Sequence, residues 1–292
     1  MVTSHRLISL LLAGALGATL VSAVGCSSAD TQPSSEPVDA PSAPSDEQDS
    51  DAPEADDDSK KAEAAKESKE TKEPLMNEAS PAAITSAVGE NLSSLEEVEA
   101  AAMQDVEDAV AYLQAGYDEL VQEIDSYDAY VANVDKVENY YQEVVSVTEE
   151  TCINLRARAA NYTELILSSD MPNDDKYDAL EGLEDYIYDD AADVIEKDIY
   201  DGILDDMEKA FYSGVLDDSD DAPSYDDWYD ARSDEYGWWY DARSDVYEAW
   251  YDVRGDIYEL YYDERSETFS GDIDRAWKKL DNFKADVEKM AG

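Results

Sequence analysis

Residues Trp228 to Gly271 read WYDARSDEYGWWYDARSDVYEAWYDVRGDIYELYYDERSETFSG, one eleven-residue phrase written four times. The units begin at Trp228, Trp239, Trp250 and Tyr261. The second position is always Tyr (Tyr229, Tyr240, Tyr251, Tyr262) and the fifth always Arg (Arg232, Arg243, Arg254, Arg265). The ninth is aromatic (Tyr236, Tyr247, Tyr258, Phe269), the sixth small, and the third and seventh acidic. Eleven residues make three helical turns at about 3.67 residues each, so every column becomes a nearly straight stripe. At about 98° per residue the Trp, Arg and Tyr columns share an arc of roughly 100°, with the acidic columns on the far side. Apart from Glu235, no carboxylate lies three or four residues from any of these arginines, so their charges need partners from elsewhere.

Two readings of the stripe follow. In the first it is the core face, and the arginines reach acids on the preceding helices. Arg stacks on rings, forks to carboxylates and packs its stem as a hydrophobe, so it would fix the register of a slippery Tyr-rich seam. Aromatic stripes at helical spacing are more often core, which favours this reading. In the second, the same Trp, Tyr and Arg side chains form an exposed strip that grips a glycan, a wall polymer or a protein. The Asp ridge reads as a solvated face. It could capture divalent cations weakly, but it lacks the twelve-residue loop of a dedicated calcium site, and no metal or cofactor is expected.

Upstream, apolar residues recur every seven positions. One column runs Val106, Leu113, Leu120, Tyr127, Val134, Tyr141, Thr148, Leu155; a second starts at Val110 and reaches Cys152 and Ala159. This spacing predicts a coiled-coil seam on one helix over 93–168, opened by a capping box at Ser93 and Glu96 and shortened by any bend at Asn133 to Lys136. A turn at Ser168 to Asp175, with Asn173 as N-cap, leads to a second helix over 174–213. Ser224 and Asp227 open a third over 224–289. The fold class expected for 81–292 is therefore all-α: an elongated three-helix bundle or coiled coil.

The formal charge is −52, from 73 acidic and 21 basic residues. That excludes the basic footprint of a nucleic-acid binder and argues against attachment to an anionic membrane by charge alone. The first 25 residues have a positive start, then an uncharged run from Leu7 to Gly25, as in a secretory signal peptide. Ala23 to Cys26 reads AVGC and resembles the lipobox of bacterial lipoproteins. The resemblance implies lipidation of Cys26, cleavage before it, and a chain anchored outside the cytoplasm by an N-terminal lipid.

Cleavage would remove His5, the sole histidine, and leave Cys152 as the one thiol besides Cys26. No Ser-His-Asp triad, Cys-His dyad or Cys/His zinc cluster can then be built. Residues 26–80, rich in Ser, Pro, Asp and Glu, read as a disordered tether. The expectation is a lipid-anchored, non-enzymatic spacer or interaction module of the cell envelope, with a protein or envelope partner or self-association through the Tyr seam. The alternative is a lipoprotein that captures a wall polymer, glycan or divalent cations through residues 228–271.

Overall fold

The computed structural model describes residues 85–218, 220 and 222–292. The signal peptide and tether expected over 1–80 lie outside the described residues. Those described form an all-α bundle, with no strand among them. The helices are α1 (Leu95–Glu123), α2 (Tyr127–Ala132), α3 (Val134–Ser168) and α4 (Asn173–Ala179). Then come π1 (Leu183–Ala191), α5 (Ala192–Val194), π2 (Ile195–Ile203), α6 (Leu204–Met207) and π3 (Glu208–Val215). The chain ends in α7 (Tyr225–Ser270) and α8 (Ile273–Ala291).

The single helix expected over 93–168 is a hairpin instead. α1 stops at Glu123, because Ile124 turns to an open backbone (φ −114°, ψ 86°) and Ser126 caps a new helix by accepting from Ala129 N–H. A second break at Asn133 separates α2 from α3. α3 then runs back along α1: Tyr140 Oη donates to the Leu113 carbonyl at 2.5 Å, and Arg158 forks to Asp105 and Glu90 at 2.8 and 2.7 Å. The reversal has a simple cause. A straight helix would leave the seam bare, whereas the hairpin buries Val106, Leu113 and Leu120 with Tyr141, Thr148 and Leu155. The capping box sits one residue later than expected: Ser94 Oγ accepts from Glu97 N–H, and the Glu97 carboxylate accepts from Ser93. Asn173 is likewise not a cap; Pro172 precedes α4 in that position, with no side-chain cap.

The second arm, residues 183–215, is widened: three π segments alternate with the short α5 and α6. Ala192, Leu204 and Leu216 each donate their N–H to the carbonyl five residues back, on Ile187, Ile199 and Phe211. The third helix is also broken. Ser224 opens it as expected, accepting from Asp227 N–H at 3.1 Å. It ends at Gly271, whose φ of 78° is left-handed. Gly271 N–H bonds to Thr268 O and Asp272 N–H to Glu267 O, a pattern that closes a helix end. Asp272 then caps α8, which doubles back so that Lys279 reaches Asp263 and Glu267 on α7. Three expected helices are thus more than three lengths packed together, with the core between α1, α3, the second arm and α7.

Gly271→Ala puts a Cβ into a left-handed conformation and is expected to cost about 1 kcal/mol. Gly271→Asn, which tolerates that conformation better, should cost less; equal urea midpoints for Ala and wild type would refute this account of the break.

Candidate functional site

α7 carries the Trp, Tyr and Arg columns, and the structure distributes them over two environments. Its core face is built from the fourth and eighth columns: Ala242, Val246, Val253 and Ile257 are fully or almost fully buried. α3 is the main neighbour there. Small and β-branched side chains allow that close approach; a ring would hold the backbones apart. The aromatic stripe is therefore not the centre of the core, as favoured from the sequence. The Trp and Arg columns sit at the edge, turned to the second arm. Trp250 is 9% exposed, and Trp228 and Trp239 are half-buried. The two Tyr columns face outward: Tyr229, Tyr236, Tyr240, Tyr247, Tyr251, Tyr258 and Tyr262 are all exposed, Tyr251 to 63%.

Two of the four arginines, Arg243 and Arg254, pair with acids on the second arm, Arg232 reaches Asp217 just past it, and Arg265 meets rings alone. The second arm runs antiparallel to α7 and meets it in rungs. Arg243 lies over the Tyr200 ring, 3.9 Å from its centroid, pairs with Asp205 and reaches Asp201 at 3.3 Å. Arg254 lies over Tyr188 at 4.1 Å, pairs with Asp193 and reaches Asp189 at 3.6 Å. Arg232 lies over Tyr212 at 3.9 Å, donates to the Leu216 carbonyl at 2.6 Å and has Asp217 at 3.9 Å. In each rung the guanidinium also lies over the Trp of the same unit, its carbon 5.1 to 5.4 Å from the ring centroid. The Trp228, Trp239 and Trp250 indole N–H groups donate to the carbonyls of Leu216, Leu204 and Ala192 at 2.9 to 3.1 Å. Buried indoles need such partners. Arg265 lies over Tyr177 at 4.0 Å, but Tyr261 replaces the tryptophan and supplies its hydroxyl instead.

The residues missed from the sequence are the ones the arginines meet. Tyr188, Tyr200 and Tyr212 stand twelve apart, and the tryptophan acceptors Ala192, Leu204 and Leu216 are also twelve apart. The signal was legible as Tyr-Asp at 177, 188 and 200. It was overlooked because its steps are uneven, eleven and then twelve, and twelve is not a period of an α-helix. Twelve residues over three turns is about four per turn, wider than the 3.6 of an α-helix. The π turns absorb one extra residue per rung, so a twelve-residue stride stays aligned with an eleven-residue one.

α7 also buries two carboxyls. Glu235 accepts from the Tyr130 and Tyr141 hydroxyls at 2.8 and 2.7 Å. Burial raises it to about 7 against those hydrogen bonds, with a further push from Glu208. Glu264 is 0% exposed and both its oxygens lack a hydrogen-bond partner. Burial raises it to about 8, opposed by Lys279 and aided by Asp263 and Glu267. Cys152 is buried in the core and its thiol is pushed up to about 12, so it stays protonated and unreactive.

Among the described residues no His, Cys, Asp and Glu cluster has the geometry to hold a metal ion. No helix among them is long and apolar enough to cross a membrane. No family model, curated protein or solved structure matches the chain.

Arg243→Gln removes the stacking and both ion pairs of one rung and is expected to cost about 1–2 kcal/mol, with Arg243→Lys costing about half that. An unchanged urea midpoint for Arg243→Gln would show that the rungs do not hold α7. The raised carboxyls set a pH dependence. Below the ordinary value of 4.5 both are protonated folded or unfolded, and their contribution is fully present. Above 4.5 the unfolded chain ionises them while the folded chain keeps its protons, so that stability falls as pH rises and is fully lost once pH passes about 7 and 8. The melting temperature should therefore fall from pH 5.5 to 8.5. Glu264→Gln should raise it on the order of 5 °C at pH 8.5 and by less at pH 5.5; the same slope in both proteins would sink the assignment.

Proposed function

We propose that this chain is a lipid-anchored, extracytoplasmic, non-enzymatic protein that acts as a spacer or interaction module at a cell envelope. The observation that carries the reading is the direction of the arginines. Each guanidinium of the stripe is clasped inside the bundle by a Tyr ring, and three of the four also by carboxylates. Their chemistry is spent on fixing one helix against another, which suits a part that must hold its form. The anchoring half rests on the lipobox-like AVGC at Ala23 to Cys26. A single acyl chain binds a bilayer only marginally, so stable anchoring at Cys26 would take the two or more chains of a diacylglyceryl group.

A second reading is favoured by the outward Tyr columns: the bundle captures a ligand on the surface those rings present. The arginines then belong to the scaffold and the tyrosines to the site. Both readings share the anchor. In a bacterial host fed a labelled fatty acid, the chain should take up label and stay with the membrane fraction. Cys26→Ala should lose the label and retain the uncleaved leader. Label retained in Cys26→Ala would overturn the anchor.

A further inference from the structure

The clasp that holds each internal arginine has a compact sequence form. On the second arm Tyr188 is followed by Asp189 and Asp193, and Tyr200 by Asp201 and Asp205. The ring stacks on the guanidinium, and the carboxylates one and five residues on bind its nitrogens. α7 carries the same spelling on its outer face. Tyr229 is followed by Asp230 and Asp234, and Tyr240 by Asp241 and Asp245. All six side chains are exposed, and among the described residues none of these four aspartates makes an ion pair.

The surface between ring and acids is open. On an eleven-residue stride Ser233, Gly237 and Ser244 fall between the Tyr and Asp columns. A Cβ at Gly237 would meet nothing within 4 Å. The rings are already braced: Tyr236 stacks on Tyr240 with centroids 6.3 Å apart, and Tyr225 on Tyr229 at the same distance. The geometry is slightly wider than inside, because α7 lacks π turns and its two carboxylates splay by about 30°. A flexible arginine spans that difference.

We propose that the outer face of α7 is a docking surface for an arginine-bearing helix of another protein, with arginines about 16 Å apart, the rise of eleven residues. Charge complementarity selects this occupant: the chain's −52 field repels polyanions and attracts cationic segments. A second copy cannot fill the clasps with its own stripe, because Arg232, Arg243 and Arg254 are already held by the second arm. The inference deepens the interaction half of the proposed function and does not depend on the anchor.

The test uses the purified full-length chain in 0.15 M salt, a strength at which exposed charges beyond about 8 Å are screened. The probe is a synthetic Ala/Gln helix with two arginines eleven residues apart, followed by fluorescence anisotropy. Controls carry arginines seven apart, which keeps charge and face but shortens the span, or lysines eleven apart. The eleven-spaced arginine peptide is expected to bind about tenfold more tightly than either control. Tyr229→Ser with Tyr240→Ser, and separately Asp234→Asn with Asp245→Asn, should each erase that preference while the helical circular dichroism stays unchanged. Equal binding of the two arginine spacings would reduce the effect to bulk charge and overturn the proposal. So would a preference that survives both double variants, or displacement of the peptide by millimolar calcium alone. Self-association abolished by the same Tyr changes would assign the face to a second copy and overturn it too. Because the peptide assay needs no lipid, loss of Cys26 labelling with retained peptide selectivity would fail the anchor and leave this surface standing.

Discussion

A guanidinium that lies over a tyrosine of one helix and near a tryptophan of the next is the contact on which the packing of the second arm and α7 depends. Both helices are acid-rich, and two such surfaces repel when pressed together. Hydrophobic burial alone would have to overcome that repulsion along the whole seam. Arginine resolves it locally. Its flat face lies on the Tyr ring, its edge meets Asp, and its stem covers apolar surface. Lysine would neutralise the same charge but could neither stack nor fork. The tryptophan adds a directional bond, since its N–H must find a carbonyl when the indole is covered. Each rung thus specifies register in a seam where rings alone would slide.

The unequal strides are a consequence of that requirement. If the second arm were a regular α-helix, a twelve-residue spacing of tyrosines would drift round its surface, and the rungs would leave α7 within a few turns. The π turns stop the drift by taking up the extra residue. They also fall at the residues the tryptophans address: Ala192, Leu204 and Leu216 donate their N–H five residues back and accept an indole N–H on their carbonyls. Distorted backbone and side-chain clasp therefore occupy the same place in each rung. Runs of π-helix are rare on their own, and here the bonds from α7 supply what the backbone geometry gives up.

Much of this was open to reading in the sequence, for definite reasons. The eleven-residue columns of α7 are visible because their period lies close to the helix's own. The need of each arginine for an outside partner follows from the absence of nearby carboxylates. All-α packing follows from the three- and four-residue spacing of apolar groups. The breaks were less legible. A heptad column runs through Leu120, Tyr127 and Val134 without a fault, yet the chain reverses there, because a column records which residues are buried and not which helix buries them. Gly271 was hidden inside what looked like one long helix. The true core face of α7 was hidden too: Ala242, Val246 and Val253 are less conspicuous than the tryptophans beside them, but small side chains set how near α3 can come.

The same contact leaves an imbalance on α7. The second arm presents only the receiving half of the clasp, Tyr with Asp. α7 presents both halves: arginines toward the second arm and Tyr with Asp toward solvent. A surface with a giving and a receiving side is heterologous, and left to itself such a pattern propagates without closing. Here it stops, because the giving side is consumed within the chain and no copy retains a spare stripe arginine. What remains is a receiving face in excess, acidic and ringed. Large exposed apolar patches on a folded surface mark interaction sites, and this row sits on a helix whose register three arginine rungs fix. The bracing matters, because a clasp whose rings are already stacked loses less freedom on binding. The internal rungs therefore do more than close the fold: by fixing α7 from within, they set the spacing of everything it displays outside.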